Sequence, residues 1–145
     1  MNFKSEMHVA INLFNQGKKK EALQIFEYLI QKSSFDKDLF FNYAFILGNM
    51  GFYEKEQRLY ELILRNYPDD AEALVNLAIS NNETKKYDKA IKFSSRAIAL
   101  KEDIPEAYEA RGIARLANNN ISEGLGDLKK WIALRATKFS VWCFY

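Results

Sequence analysis

The chain of 145 residues is poor in the residues that build disulfide frameworks, small metal sites and tight turns. It holds one cysteine, Cys143, one histidine, His8, two prolines and six glycines. A single cysteine excludes an internal disulfide and a cysteine-based metal site, and a single histidine leaves no cluster for a transition metal. The scarcity of turn-forming residues also argues against a β-sandwich or a β-barrel. We therefore expect a helical protein with no metal and no cofactor.

Strong charge and long apolar runs are lacking too. The formal net charge of +2 is too small to predict binding to nucleic acid. No stretch has the roughly 20 uninterrupted apolar residues that a membrane-spanning helix needs. Lys4, Glu6 and His8 interrupt the apolar residues near the N-terminus, so no signal-peptide core is present there. We expect a cytoplasmic protein that does not insert into membranes.

Catalytic motifs are missing as well. Gly124-Leu125-Gly126 is the nearest approach to a phosphate-binding loop, but it lacks the strand, the third glycine and the acidic residue of that motif. His8 stands alone, so it cannot belong to a Ser-His-Asp set or to a zinc-protease motif. The sequence predicts no enzyme and no catalytic residue, and small residues at a helix crossing are the better interpretation of the two glycines.

What the chain does contain is an internal repeat with a period of 34 residues. The register holds without insertion from Phe3 to Lys138. Two series of mostly small residues keep this spacing: Ala10, Ala44, Ala78 and Gly112, and Ala22, Glu56, Ala90 and Gly124. The pattern predicts a single domain made of four repeats and a short C-terminal segment, with the boundaries 3–36, 37–70, 71–104, 105–138 and 139–145.

Each repeat is predicted to be a helix, a short turn and a second helix. In the third repeat Leu74, Leu77 and Ala78 have helical spacing, and a second apolar stripe begins at Tyr87. The stretch 81–86 between them is polar and turn-prone. The predicted helices cover residues 3–16, 19–32, 37–49, 54–66, 71–83, 87–100, 105–117 and 121–135.

Over nearly its whole length the chain resembles the tetratricopeptide repeat family. The resemblance rests on the small residues at positions eight and twenty, on large or aromatic residues at positions four and twenty-four, and on Pro68 at position thirty-two. The first repeat departs from the pattern at Glu6, and the fourth departs at Arg111, Arg115, Gly124 and Trp131. The resemblance implies an all-α fold, a right-handed α–α superhelix of antiparallel helix pairs.

The same resemblance implies a concave groove that is lined by the first helix of each repeat and binds protein ligands. Position nine is usually polar in the family, yet here it holds Ile11, Phe45, Ile79 and Ile113. These four side chains either face a ligand or are buried between neighbouring first helices. The acidic residues Asp38, Glu72 and Glu106 would favour a basic ligand. The predicted groove residues are Met7, Ile11, Phe41, Asn42, Phe45, Val75, Asn76, Ile79 and Ile113.

The sequence therefore predicts a protein–protein interaction module, with a scaffold, adaptor or chaperone-like role, that binds an apolar or mildly basic segment of a partner. The two-carboxylate clamp of adaptors for heat-shock chaperones is absent, since only its asparagine is present in either frame. One alternative is the N-terminal repeat region of a larger enzyme, such as a glycosyltransferase.

The C-terminal segment 139–145 supports a further alternative. It is mostly apolar and aromatic, which is unusual at the end of a repeat stack. It would fold back over the last helix pair, lead into a longer array, or form an exposed patch for a partner or a homodimer through Trp142, Phe144 and Tyr145.

Overall fold

The computed structural model describes the backbone of residues 2–142 and the side chains of residues 2–137. Within that range the chain forms eight α-helices and no strand. The helices are α1 Phe3–Asn15, α2 Lys19–Lys32, α3 Lys37–Asn49, α4 Tyr53–Asn66, α5 Ala71–Glu83, α6 Tyr87–Leu100, α7 Pro105–Ala117 and α8 Ile121–Trp142. The predicted pairs of helices are confirmed.

The eighth helix is longer than expected. We expected it to end at residue 135, but it continues to Trp142. The turns after α2, α4 and α6 carry residues that stop or restart a helix: Asp36 and Asp70 each cap the next helix by accepting a hydrogen bond of 2.9 Å from a backbone N–H, and Pro105 begins α7. The stretch 135–138 has no glycine, proline, aspartate or asparagine, so nothing in it ends the helix.

The helices fall into two compact units, Met1–Ile63 and Leu64–Tyr145, called here the N-terminal and the C-terminal unit. In the N-terminal unit α2 packs on α1 and on α3. The rings of Phe26 and Tyr43 are stacked with centroids 5.8 Å apart, and those of Phe35 and Phe40 are 4.9 Å apart. Burial raises the pKa of Tyr43 to about 12, with the Glu27 carboxylate as the second cause.

In the C-terminal unit α6 packs on α5 and α7, and α7 packs on α8. Leu74, Val75, Ala97 and Ala107 form one buried cluster that joins α5, α6 and α7. The expectation that the whole chain is a single domain stays a prediction.

The fourth repeat replaces an apolar contact with an ionic one. Arg111, at the position usually held by leucine, donates two hydrogen bonds to the Asp127 carboxylate at 3.0 and 2.8 Å, and Arg115 donates a third at 2.8 Å. Asp127 is only 5% exposed. A carboxylate held by two arginines at these distances is fully paired, and this pairing accounts for two charged residues at apolar positions of the repeat.

The helices of the fourth repeat cross at two glycines. A Cβ atom on Gly112 would lie 3.1 Å from the carbonyl oxygen of Gly124, and one on Gly124 would lie 3.1 Å from the carbonyl oxygen of Gly112. Each would also come within 3.0 Å of a leucine side chain. The small residues at positions eight and twenty therefore let α7 and α8 approach closely, as the sequence predicts for Gly124. Gly126 lies away from this crossing.

Each turn inside a repeat contains one residue with a positive φ, again at a spacing of 34 residues: Gly17 at 83°, Gly51 at 83°, Lys85 at 58° and Asn119 at 64°. The backbone N–H of the residue that follows closes the turn by donating a hydrogen bond to the carbonyl oxygen five residues earlier. In the third repeat this bond runs from Lys86 to Asn81 at 2.8 Å. Glycine adopts this left-handed conformation without steric cost, whereas a lysine pays for the proximity of its Cβ to the backbone.

We expect Gly112→Ala to lower the free energy of unfolding by about 1–3 kcal/mol, because the added methyl group overpacks the helix crossing. The matched control is Gly126→Ala, where no atom lies within 4 Å of the added Cβ. This control should gain up to about 1 kcal/mol from the higher helix propensity of alanine. Urea unfolding followed by circular dichroism measures the stability of both variants. An equal effect at the two glycines would contradict the close approach of α7 and α8 at Gly112.

We expect Lys85→Gly to raise the free energy of unfolding by up to about 1 kcal/mol, because it relieves the left-handed conformation at the turn. The reverse change, Gly51→Ala, should cost about 1 kcal/mol at the equivalent turn of the second repeat. Thermal unfolding of the two variants measures these opposite changes in stability. A loss of stability in Lys85→Gly would show that the lysine side chain stabilises the turn by more than its backbone strain.

Candidate functional site

The side chains at position nine are exposed in three of the four repeats. Phe45 is 52% exposed, Ile79 39% and Ile113 45%, while Ile11 is half-buried. Position nine follows position eight, which faces the second helix of the same repeat, so on α3, α5 and α7 it points away from that contact. Of the two alternatives for these residues, exposure is the one found for Phe45, Ile79 and Ile113.

The C-terminal unit has a cavity of about 480 Å³ beside Ile79. It lies along α5 and the turn before α7, and Val75, Asn76 and Ile104 form part of its wall. Val75 is only 5% exposed because it belongs to the buried cluster, so it offers little surface to a ligand. The accessible apolar residues of this unit at predicted groove positions are Ile79 and Ile113.

The N-terminal unit has a cavity of about 470 Å³ at the equivalent place in the first repeat. Met7 and His8 line it, together with the turn between α2 and α3. Met7 corresponds to Val75 and His8 corresponds to Asn76, because both pairs are separated by two repeat lengths. The two cavities are thus the same cleft of the repeat, formed once in each compact unit.

Phe41, at position five of the second repeat, is half-buried. Its ring meets Tyr60 edge-on with centroids 5.4 Å apart. This contact fixes the ring, so Phe41 serves the packing of the N-terminal unit as well as any ligand. Phe45, one helical turn further along α3, has no such restriction on its exposed surface.

The two predicted asparagines are held by their own helices. Asn42 donates to the carbonyl oxygen of Asp38 at 2.8 Å and contacts the sulfur of Met7 at 3.8 Å. Asn76 donates to the carbonyl oxygen of Glu72 at 3.1 Å. These bonds orient both amides, and recognition of a peptide backbone by the remaining amide atoms stays a prediction.

The charges around the two cavities differ. In the C-terminal unit the cavity is lined by Glu72, Asp103 and Glu106 against one base, Lys101. In the N-terminal unit Lys4 and Lys32 stand against Asp36 and Asp38, and the Asp36 carboxylate is engaged in capping α3. The acidic bias that the sequence predicts is therefore found in the C-terminal unit, whereas the charges of the N-terminal cavity balance.

Sequence reasoning did not include the repeat junctions in the site. Lys101, Asp103 and Ile104 line the C-terminal cavity, although they belong to the turn between repeats and not to a first helix. Their equivalents 33–36 line the N-terminal cavity. The period of the repeat could have predicted these residues, because a turn of this kind follows the second helix of each of the first three repeats.

The remaining predictions concern the C-terminal aromatic residues, a membrane-spanning helix and a metal site. Phe144 and Tyr145 lie outside the described residues, and of Trp142 only the backbone is described. Within residues 2–142, no helix combines the length and apolar character that crossing a membrane requires. The part of the chain that the structure describes has no group of three or more His, Cys, Asp or Glu side chains placed to hold a metal ion.

No protein-family model matches the chain, and no curated protein matches it. Solved structures do match. A crystal structure of MamA is 14% identical with a TM-score of 0.84, and the match covers 96% of this chain and 81% of MamA. MamA from Desulfovibrio magneticus RS-1, from its residue 41 to the end, is 18% identical with a TM-score of 0.82 over 91% of this chain and 75% of that one.

A likeness at this identity shows the fold alone. The chain is an all-α solenoid of helical repeats, as MamA is, and the predicted fold class is confirmed. Membership of the tetratricopeptide family stays a resemblance.

We expect Val75→Ala to lower the free energy of unfolding by about 2 kcal/mol, because it removes buried methyl groups and leaves a cavity. Ile79→Ala, one turn along the same helix, should cost less than about 1 kcal/mol because its side chain is exposed. Urea unfolding of the two variants makes the comparison. Equal losses would mean that Ile79 is part of the core and is not a surface for a ligand.

Proposed function

We propose that this chain is a protein-binding module, and that its C-terminal unit holds an apolar segment of a partner protein with basic flanks. The observation that carries the proposal is the exposure of large apolar side chains at position nine. A protein surface rarely keeps a repeated set of such side chains exposed without a use for them.

The apolar part of the ligand would lie along Ile79 and Ile113. These residues occupy the same position on α5 and α7, and the two helices pack against each other. A ligand side chain would enter the cavity of about 480 Å³ that lies beside Ile79. Fully burying an isoleucine contributes about 1.5–3 kcal/mol. Because Ile79 and Ile113 are 39% and 45% exposed, covering what remains contributes up to roughly 1 kcal/mol for each, which is a useful share of the binding energy.

The basic part of the ligand would be chosen by the acidic side chains at the cavity. Glu72, Asp103 and Glu106 are exposed and outnumber Lys101. Surface charges of this kind affect the rate of encounter and the selection of partners more than the final affinity. A segment with lysine or arginine next to its apolar residues is therefore preferred over one with aspartate or glutamate there.

Two synthetic peptides that share one apolar sequence, one flanked by lysines and the other by glutamates, test this function. Fluorescence anisotropy with the full chain should give tighter binding for the lysine-flanked peptide. The double variant Ile79→Ser with Ile113→Ser should weaken that binding at least about tenfold. The control is Leu100→Ser, a residue of the same unit that is 46% exposed but does not lie at position nine.

The proposal fails if the double variant, with an unchanged circular dichroism spectrum, binds the lysine-flanked peptide as the parent chain does. The charge preference has its own test. Glu72→Lys with Glu106→Lys should reverse the order of the two peptides, and an unchanged order would show that these carboxylates do not select the ligand.

Phe45 allows the same test in the N-terminal unit. Phe45→Ala should weaken binding of a ligand that reaches this unit while leaving stability nearly unchanged, because the ring is 52% exposed. Adding Phe41→Ala also removes the contact with Tyr60, so the double variant needs a stability measurement beside the binding measurement.

A further inference from the structure

A row of basic side chains lies on the outer face of α6. Lys89, Lys92 and Arg96 follow one another at intervals of three and four residues, which places them on one side of the helix. All three are exposed, whereas Ala90 and Ser94 on the other side are fully buried. The row therefore points away from α5 and α7, the helices on which α6 packs.

Lys85, in the turn before α6, extends this row. A cavity of about 330 Å³ is lined by Lys85, Lys86 and Lys89, together with Asp88 and Asn118. Lys85 therefore lies near the N-terminal end of the row, and the cavity is large enough to receive an acidic side chain of a partner. The basic stripe is defined here as Lys85, Lys89, Lys92 and Arg96.

The described part of the chain leaves the charge of the basic stripe uncompensated. None of its lysines forms an ion pair with a described residue. Asp88 stands four residues before Lys92, at the spacing of a helical ion pair, but its carboxylate accepts a hydrogen bond of 2.8 Å from Asn118. Arg96 donates to the carbonyl oxygen of Pro68 at 3.1 Å, which orients the guanidinium group without neutralising it. The stripe thus presents four positive charges to the solvent.

This arrangement lowers the stability of α6 in three ways. Lys89 and Lys92, and likewise Lys92 and Arg96, are like charges at helical spacing, so they repel each other. Lys89 also lies in the first turn of the helix, where the helix dipole favours negative charge. Lys85 has a φ of 58°, at a position that holds glycine in the first two repeats. Folding therefore does not account for these residues, whereas a partner of opposite charge would.

The second helices of the other repeats lack this concentration of charge. On α4 two basic residues are present, but Glu54 and Glu61 stand four and three residues from Arg58, at the spacing of helical ion pairs. On α2 and α8 an acidic residue replaces Lys89. The residues equivalent to Lys89, Lys92 and Arg96 are Glu21, Gln24 and Tyr28 on α2, Lys55, Arg58 and Leu62 on α4, and Glu123, Gly126 and Lys130 on α8. The basic stripe is a property of the third repeat and not of the repeat pattern.

The spacing of the stripe favours a helical partner. Its members on α6 recur once per turn, so they lie roughly 5 Å apart along the helix axis. The side chains on one face of a second α-helix, packed alongside, recur at the same distance. The side chains on one face of an extended strand are roughly 6.7 Å apart, so they fall out of register with the stripe.

We propose that the basic stripe binds an acidic helix of a partner protein, one that carries glutamate or aspartate once per turn on one face. One carboxylate of this helix enters the cavity beside Lys85, and the others pair with the rest of the stripe. Binding relieves the repulsion within α6, which explains why the charges are kept. The stripe is on a second helix, whereas Ile79 and Ile113 are on first helices, so this contact is separate from the proposed ligand site.

Two labelled helical peptides test the proposal. One is alanine-rich with one glutamate per turn, and the other has glutamine at the same positions. Fluorescence anisotropy with the full chain at low ionic strength should show binding of the glutamate peptide and not of the glutamine peptide, and added salt should weaken that binding. Lys89→Gln with Lys92→Gln should lower the affinity by a factor of about 3 to 10, because two ionic contacts are lost.

Two controls separate the stripe from the rest of the surface. Lys129→Gln with Lys130→Gln makes the same change of net charge at two exposed residues of α8, and it should bind the glutamate peptide nearly as the parent chain does. Ile79→Ser with Ile113→Ser should also leave this affinity unchanged. A failure of the proposed ligand site can therefore be distinguished from a failure of the basic stripe.

Thermal unfolding supplies an independent measurement. Lys89→Gln with Lys92→Gln should unfold at a higher temperature than the parent chain, because it removes the repulsion along α6 and a positive charge from the first turn. Weaker binding by a more stable variant is not caused by unfolding. A lower unfolding temperature would show that the lysines stabilise the helix, and it would overturn the argument that they are kept for a partner.

Four binding results would also overturn the proposal. Absence of binding of the glutamate peptide at high micromolar concentration excludes the stripe as a site for an acidic helix. Equal binding of the two peptides shows that charge does not select the ligand. Equal losses in the two lysine-to-glutamine variants show that net charge alone attracts the peptide. Tighter binding of duplex DNA or of phosphatidylserine vesicles, weakened by Lys89→Gln with Lys92→Gln, assigns the stripe to a phosphate-bearing surface.

Discussion

The close crossing of the two helices within each repeat is the contact on which the rest of the structure depends. Ala10 and Ala22, and again Ala78 and Ala90, are fully buried at this crossing, and in the fourth repeat two glycines replace them. Because position eight must face the second helix, the orientation of every other position on the first helix is fixed. The small residues at positions eight and twenty therefore determine which surfaces of the first helix are available for binding.

Two separate surfaces result from that orientation. Position nine, as in Ile79 and Ile113, points away from the crossing, whereas positions three and seven, as in Ala73 and Leu77, are buried. A ligand at position nine would thus use a different side of the first helix from the side that is buried in the packing of the helices.

The repeat period was enough to predict the helices, because a fixed spacing of small residues repeats the same local structure. It could not predict the length of α8, since the end of a helix depends on local stop signals and 135–138 has none. Nor could it predict which groove residues are accessible. Val75 is buried by its neighbours in the cluster and Phe41 by Tyr60, and such burial depends on side-chain sizes on other helices. The left-handed conformation at Lys85 could not be predicted either, because lysine has no preference for a positive φ.

The ionic contact of the fourth repeat limits how this chain can be rearranged. Asp127 on α8 is nearly buried, and both of its arginine partners are on α7. A duplication or exchange of whole repeats, cut before Pro105, would carry all three charges together. A cut in the turn between α7 and α8 would separate them and bury a carboxylate without its partners, at a cost of several kcal/mol. The boundary at which this repeat can be recombined in evolution or in design is thereby set by a single carboxylate.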